Sequence, residues 1–332
     1  MRSLVNVAIH ASQFPENVQR ELLDSLRTRR INHKFLYDGV KQTQKWLALH
    51  EAFSPARTDP NCVATYDDAF SATAERIAAK RVHVIGLGCG GGQKDAQLLK
   101  LLKQRDKLAG YTPCDVSTAM VLTACQTAST VVETENCFPL VCDLATADDL
   151  PAVFNRQIQA GTARLLTLFG MLPNFSPLTI FPRLADLISS KDYLLLSANL
   201  APGVDYTVGL QRVLPQYDND LMRDWLMTFL RDIGVEPADG ELVFAVEDCP
   251  QGTGLKRIVA RFHFNRSRAF QVANERFEFR TGESVQLFFS YRHTSEHVRV
   301  LLGQHGIVVL EQWVIRSGEE GIFLCQRDEP AR

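Results

Sequence analysis

Glycines and two aspartates near the middle of the chain could bind one ligand together. Residues 86–92 read GLGCGGG, and Asp115 and Asp143 follow at the ends of two predicted strands. Glycine lets the backbone turn sharply and approach a ligand closely, and the helix predicted after this segment offers free N–H groups. A carboxylate at Asp115 can accept both hydroxyls of a ribose, and Asp143 can accept the exocyclic amine of an adenine. The pattern predicts a site for a nucleotide or nucleoside cofactor.

Each feature also has a purely structural interpretation. Glycines form tight turns, and aspartate is a favoured helix N-cap. The glycines at 86, 88 and 91 match GxGxxG only because glycine is so dense here, so a nicotinamide-dependent oxidoreductase ranks last. A Walker A loop is excluded because no Gly-Lys-Ser/Thr follows, and the Gly-x-Ser-x-Gly elbow of many hydrolases is absent. His293 and His297 lack a third ligand, so no metal site is predicted.

One more polar residue follows a strand. Asn174 lies in the segment GMLPNF after the predicted fourth strand, on the side of the sheet where such folds bind ligands. Its planar amide offers a donor and an acceptor, which suits an amino acid's carboxylate or amine. The alternative is an asparagine that only forms a turn.

Alternating strands and helices position these residues. Buried runs predict parallel strands at 82–87, 111–116, 138–144, 165–170 and 193–197, separated by helical segments. Residues 242–292 change to alternating polarity, which is typical of antiparallel strands, and residues 306–327 predict a terminal hairpin. The fold class is therefore α/β, with a Rossmann-like sheet that ends in an antiparallel hairpin and an α+β substrate domain. The predicted ranges are 1–60 and 203–291 for the substrate domain, and 61–202 with 292–332 for the cofactor domain.

Composition limits the function classes. The 332 residues carry 36 basic and 38 acidic side chains, with 45% hydrophobic residues, which excludes a disordered chain. Near-neutral charge gives no electrostatic reason to expect nucleic acid or an anionic membrane as partner. The apolar stretch at the N-terminus is short and interrupted by Asn6 and His10, so no secretory signal is expected. Eight cysteines without a CxxC pair predict reduced thiols in a cytoplasmic protein, and we expect a monomer.

Several blocks, in order, resemble the histidine Nα-methyltransferases of ergothioneine biosynthesis. They are HKFLYDG at 33–39, SPART at 54–58, GCG at 88–90, YTPCDVS at 111–117, FGMLPNF at 169–175 and QYD at 216–218. The resemblance covers nearly the whole chain. It implies a class I methyltransferase fold, S-adenosylmethionine as cofactor and an amino acid as methyl acceptor.

Positions that match the family's motifs suggest roles. By this resemblance Gly88, Gly90, Asp115 and Asp143 would bind the cofactor. The positions matching the amine- and carboxylate-holding residues are Tyr37, Asn174 and Tyr217. Of these, Tyr37 and Asn174 would orient the reacting amine, and no side chain stands out as a dedicated base.

Three positions depart from the family's pattern. Gly86 stands where the family has an acidic residue of the cofactor site, and Phe53 where it has a pocket tyrosine. An ungapped match places Phe288 at the imidazole-binding glutamate and Ser290 at its serine partner. Phenylalanine cannot accept an imidazole N–H, and a buried unpaired N–H costs about 1–3 kcal/mol. The match therefore predicts an acceptor other than histidine, with a less polar side chain.

The sequence thus favours methyl transfer to the α-amine of an amino acid or a similar small molecule. Two alternatives stay open. One is aminocarboxypropyl transfer or cyclisation of the cofactor with release of methylthioadenosine. The other is a non-catalytic relic that binds the cofactor, which Gly86 motivates.

Overall fold

The computed structural model describes residues 4–328. The strands are β1 (Ala8–Ile9), β2 (Val82–Leu87), β3 (Leu108–Asp115), β4 (Leu140–Val141), β5 (Ala163–Leu168), β6 (Tyr193–Asn199), β7 (Gly240–Asp248), β8 (Lys256–Phe264), β9 (Arg268–Val272), β10 (Glu275–Phe279), β11 (Ser284–Arg292), β12 (Ile307–Val314) and β13 (Glu320–Arg327). The helices are α1 (Pro15–Thr28), α2 (Val40–Phe53), α3 (Pro55–Thr58), α4 (Pro60–Arg76), α5 (Gln93–Gln104), α6 (Thr118–Ala128), α7 (Leu150–Gln157), α8 (Pro177–Leu187), α9 (Tyr206–Val213), α10 (Asp220–Asp232) and α11 (Ser295–Gly303).

Eight of these strands form one sheet in the order β1-β4-β3-β2-β5-β6-β13-β12. The pairings from β1 to β6 are parallel, and β13 joins β6 antiparallel and pairs with β12. Every residue of β2 is buried, as expected of a strand covered by helices on both faces. The arrangement is a Rossmann-like sheet with a terminal antiparallel hairpin, and the predicted fold class is confirmed.

Helix caps fix where the chain turns back from the sheet. After β3, the Ser117 side chain accepts the backbone N–H of Met120 and so begins α6. Before α10, the Asn219 side chain accepts the N–H of Met222 in the same way. Short polar side chains satisfy otherwise unpaired N–H groups, so both helices begin at defined residues.

A second core lies beside the sheet. Strands β7, β8 and β11 form an antiparallel sheet, and β9 pairs with β10. Their apolar faces pack against α1, α2 and α10, and the buried cluster includes Leu26, Trp225, Phe262 and Phe288. The backbone of residues 29–31 also bonds to Gln286 of β11 on both sides. The N-terminal segment is thereby joined to the later strands.

The elements differ from the sequence prediction in a few places. The strand predicted at 138–144 is confined to β4. Strand β1 joins the large sheet, although the sequence placed residues 1–60 in the substrate domain. The division into domains stays a prediction, and its outermost residues, 1–3 and 329–332, lie outside the described residues. All eight cysteines are free.

Candidate active site

A cavity of about 520 Å³ lies at the carboxyl ends of β2, β3, β4 and β5. Its size is in the usual range for a small-molecule site. The glycine-rich segment, Asp115, Asp143 and Asn174 form the wall on the side of the large sheet. The opposite wall comes from residues 30–57 of the N-terminal segment and from β8 and β11. Four parts of the chain that are far apart in sequence therefore enclose it.

The glycine-rich segment turns tightly after β2. Gly88, Gly90 and Gly92 have φ angles of 63°, 51° and 75°, a region that side chains other than glycine rarely adopt. A Cβ on Gly88 would lie 2.5 Å from the Met171 side chain. The turn then leads directly into α5. Backbone is thus exposed to the cavity where a larger residue would block it.

Asp115 closes this turn. Its Oδ2 accepts the N–H of Gly90 at 3.1 Å, and its Oδ1 accepts the N–H of Ser117 at 3.0 Å. Burial raises the pKa of Asp115 to about 6, although these backbone bonds oppose the shift. Each carboxylate oxygen keeps a second lone pair, so a bound diol can donate to both.

Asp143 has an unused oxygen. Its Oδ1 accepts the N–H of Ala145 at 2.9 Å, whereas its buried Oδ2 accepts no hydrogen bond. The nearest cation is Lys34, whose Nζ lies 3.6 Å from Oδ2 and 2.6 Å from Glu21 Oε2. A buried acceptor of this kind is costly unless a ligand donates to it.

Gly86 does not line the cavity; it makes room for a carboxylate that does. A Cβ at position 86 would stand 2.2 Å from Asp95 Oδ2. Asp95 accepts hydrogen bonds from Tyr111 and Thr167, each at 2.7 Å, and burial raises its pKa to about 6. The acidic side chain that the resemblance leads one to expect at position 86 is absent, and Asp95 brings a carboxylate to that place from α5.

Tyr37 and Asn174 meet in the cavity. The Asn174 Nδ2 lies 3.5 Å from the Tyr37 hydroxyl, and both residues line the cavity. Burial, together with the charge of Asp115, raises the pKa of Tyr37 above its usual value. The phenol therefore stays protonated at neutral pH and can donate a hydrogen bond.

Other predicted site residues do not line the cavity. Phe53 ends α2 and is 52% exposed. The Tyr217 hydroxyl bonds to Ser290 Oγ and accepts from Arg292 Nη2, both at 2.9 Å. Phe288 packs into the core of the second sheet against Trp225.

A β-bulge explains the displacement of Phe288 and Ser290. The register between β11 and β8 shifts between Gln286 and Phe288, so Leu287 and Phe288 both turn toward the core. An extra residue reverses which later positions face the other side of the sheet. Gln286, Phe289 and Tyr291 line the cavity instead. The argument that Phe288 makes the pocket less polar therefore fails.

The structure adds cavity residues that the sequence did not indicate. Trp46 and His50 lie one helical turn apart on α2, and their rings stack with centroids 4.9 Å apart. A Cβ on Gly90 would contact Trp46 at 3.4 Å. His33 and Arg257 line the far end. His33 lies in the HKFLYDG block, a signal that could have found it; no such block contains Trp46 or Arg257.

A glycine turn at the end of β2, an acid that ends β3, a second acid just after β4 and a terminal antiparallel hairpin define a class I, Rossmann-like methyltransferase. The sequence matches the family described as "Histidine-specific methyltransferase, SAM-dependent" over residues 16–230. The chain belongs to this family, and its cofactor is S-adenosylmethionine. No curated protein matches it.

The solved structures that match the chain are distant from it. The CcbJ methyltransferase from Streptomyces caelestis is 9% identical, with a TM-score of 0.41 over 80% of this chain and 90% of that one. The 1,6-didemethyltoxoflavin-N1-methyltransferase of Burkholderia thailandensis is 11% identical, with a TM-score of 0.40 over 86% and 91%. Similarity of this degree says nothing about the substrate.

The residues present fit the cofactor. The turn at Gly88 and Gly90 leaves backbone accessible, Asp115 has lone pairs to spare, and the Asp143 Oδ2 is a buried acceptor without a donor. Within residues 4–328, none of the helices has the length and hydropathy to cross a bilayer. The cytoplasmic location, the monomeric state and the absence of a nucleic-acid partner stay predictions.

Proposed function

We propose that the protein transfers a methyl group from S-adenosylmethionine to the α-amine of an amino acid, or an amino-acid-like small molecule, other than histidine. The pair of Tyr37 and Asn174 carries this proposal. These two side chains meet at 3.5 Å in the cavity, between the glycine turn and the strands of the second sheet. A phenol and an amide together offer donors and an acceptor to an amine and a carboxylate.

In this proposal the cofactor lies along the large sheet. The backbone at Gly88 and Gly90 would approach it, Asp115 would accept the ribose hydroxyls, and Asp143 would accept the adenine amine through its free Oδ2. Asp95 lines the same wall and would face the positively charged methionine portion. The roles of these residues rest on their position and on their unused hydrogen-bonding capacity.

The chain's own residues would orient the acceptor. S-adenosylmethionine supplies an electrophilic methyl: the amine lone pair forms the N–C bond, the C–S electron pair stays on sulfur, and the proton lost from nitrogen passes to water. Because only the neutral amine has a free lone pair, burial away from water favours the reactive form. Tyr37, held protonated, would act as a hydrogen-bond partner that aligns the amine rather than as its base.

A contact in the structure, different from the one the sequence suggested, supports an acceptor other than histidine. The Gln286 Oε1 is the acceptor that β11 presents to the cavity, but it already accepts from Arg257 at 3.2 Å and from Arg261 at 3.3 Å. An imidazole N–H placed there would compete with two guanidinium groups for one oxygen. The unpaired donor would cost about 1–3 kcal/mol.

Mass spectrometry of the protein with S-adenosylmethionine and a pool of amino acids, histidine included, tests the proposal. S-adenosylhomocysteine with a methylated amino acid other than histidine is the expected result. Tyr37→Phe and Asn174→Ala should each lower kcat/KM by about tenfold or more, because one hydrogen bond to the reacting group is lost. Phe53→Leu, at an exposed position outside the cavity, is the matched control and should leave it unchanged.

Two results would contradict the proposal. Methylthioadenosine in place of S-adenosylhomocysteine would show that a different carbon of the cofactor is transferred or that the cofactor cyclises. Methylation of histidine as the best acceptor would overturn the exclusion based on Gln286.

A further inference from the structure

Two hydrogen-bond donors at the far end of the cavity have no partner in the structure. They are His33 Nδ1 and Arg257 Nε, both buried, and both residues line the cavity. The Phe289 ring lies beside them: its centroid is 4.4 Å from that of His33 and 5.4 Å from the Arg257 Cζ. Both donors therefore lie around one aromatic side chain in the part of the cavity away from the glycine turn.

The state of His33 is fixed by its neighbours. Its Nε2 accepts the backbone N–H of Phe289 at 3.1 Å, so this nitrogen carries no proton. Burial, aided by the charge of Arg257, lowers the pKa of His33 to about 3, and the ring is neutral at physiological pH. The proton of a neutral imidazole must then be on Nδ1. The unpaired nitrogen of His33 is therefore an N–H donor and not an acceptor.

The positive charge of Arg257 is only partly balanced, because its carboxylate partner is shared with a second arginine. It is 6% exposed, and its Nη2 lies 3.4 Å from Glu247 Oε2. Arg261 occupies the same carboxylate at 2.8 and 3.0 Å. Two guanidinium groups thus share one glutamate. A buried cation that is paired incompletely is costly, and an anion that binds beside it removes the cost.

The acids that line the cavity all lie on the cofactor side. Among the described lining residues they are Asp95, Asp115 and Asp143. The lining residues contributed by β8, β11 and residues 30–33 include Arg30 and Arg257 and no carboxylate, whereas Lys34 lies against Asp143 on the cofactor side. The lining near Arg257 therefore contains cationic side chains and no acid, which suits an anionic group.

We infer that the methyl acceptor carries an anionic oxygen group at the end away from its amine, and that Arg257 and His33 bind it. An acidic amino acid or a phosphorylated one has this chemistry. The inference rests on the proposed function and replaces the expectation of a less polar side chain. Arg257 would bind the anion through Nε–H and its charge, and His33 would add a neutral N–H donor.

Calorimetry on protein saturated with S-adenosylhomocysteine tests binding separately from turnover. The ligands are aspartate, glutamate and 2-aminoadipate as carboxylates of increasing reach, phosphoserine as the phosphate, and glutamine and histidine as uncharged comparisons. One of the acids should bind at least tenfold more tightly than glutamine. Tightest binding of a carboxylate or of phosphoserine identifies which anion the site takes.

Variants of Arg257 and His33 test whether these residues produce the preference for an acidic ligand. Arg257→Gln should weaken binding of the preferred acid at least tenfold and leave glutamine binding unchanged, and His33→Phe should weaken it while keeping the ring. Arg261→Gln is the matched control, because Arg261 shares Glu247 and Gln286 with Arg257 but does not line the cavity. Thermal unfolding confirms that each variant is folded.

The outcomes separate the inference from the proposed function. Binding and methylation of glutamine or histidine in preference to every acid would overturn the anionic group and leave an amino-acid methyltransferase. An equal loss in the Arg261 variant would also overturn the role of Arg257. Failure of all six ligands to bind or to be methylated would contradict both.

Discussion

The Asp95 carboxylate lies where a side chain at position 86 would have to stand, since a Cβ on Gly86 would be 2.2 Å from its Oδ2. The Tyr111 hydroxyl would be 3.2 Å from that Cβ, and it donates a hydrogen bond to Asp95. Gly86 and Asp95 together place one buried acid in the wall of the cofactor site. The loss of an acidic residue from the glycine motif therefore does not remove the carboxylate.

Gly86→Ala should destabilise the protein by about 1–3 kcal/mol and weaken cofactor binding, because the methyl group displaces Asp95 in a closely packed strand. Thermal unfolding and calorimetry with S-adenosylhomocysteine measure the two effects. Gly303→Ala is the control: it lies at the exposed end of α11 with nothing within 4 Å of its Cβ and should be neutral or slightly stabilising. Equal behaviour of the two variants would refute the relationship between Gly86 and Asp95.

Cofactor affinity should fall as the pH is lowered through about 6. Burial raises the pKa of Asp115 to about 6, and only the ionised carboxylate accepts two hydroxyl donors without giving up an oxygen. Below that pH the free protein must lose a proton in order to bind the cofactor, so affinity drops by up to about tenfold per pH unit. Calorimetry with S-adenosylhomocysteine between pH 5 and 8 measures this.

Two variants identify the group that titrates. Asp115→Asn should weaken binding at pH 8 and flatten the pH dependence. Burial also raises the pKa of Asp95 to about 6. The Asp95→Asn variant should still lose cofactor affinity at low pH, because Asp115 still titrates. An unchanged profile in Asp115→Asn would mean that another group is responsible.

Tryptophan emission should report cofactor binding through Trp46. Its ring is within 3.4 Å of the place of a Cβ on Gly90 and lines the cavity, so a ligand over the turn changes its surroundings. Titration with S-adenosylhomocysteine should change the emission of the natural protein. Trp46→Phe should abolish that change, whereas Trp313→Phe, on the terminal hairpin, should retain it.

Lys34→Met should destabilise the protein by about 3 kcal/mol. Lys34 is buried between Glu21 and Asp143, and its removal leaves both carboxylates without their cation. Lys41→Met is the matched control: Lys41 pairs with Asp232 on the surface, so the change should stay within about 0.5 kcal/mol. Chemical denaturation of both variants gives the comparison, and a Lys34 variant as stable as the control would contradict it.

The cofactor wall could be predicted from the sequence because local patterns determine it. A buried apolar run before a glycine turn and an acid at the end of the next strand specify β2, the turn and Asp115 without knowledge of distant contacts. Asp95 was missed because its relation to Gly86 depends on the packing of α5 over β2. Nothing in the spacing of the two residues shows that contact.

The acceptor wall could not be predicted to the same extent. Alternation along β11 predicts Phe288 and Ser290 on one face, but the bulge after Gln286 reverses the face for every later residue. Phe53 was misplaced because it is the last residue of α2, where the side chain is exposed. Arg257 comes from β8, a neighbouring strand, so only the pairing of strands brings it to the cavity.

The bulge in β11 also has an evolutionary consequence. One residue inserted or deleted there would turn Phe289 and Tyr291 away from the cavity and bring their neighbours Phe288 and Ser290 to it, while Gln286, which precedes the bulge, would keep its face. Such an event would leave β2, β3 and the glycine turn untouched, because β11 pairs with β8 and not with them. New acceptor preferences could thus arise in a single genetic step while the ancestral methyl donor is retained.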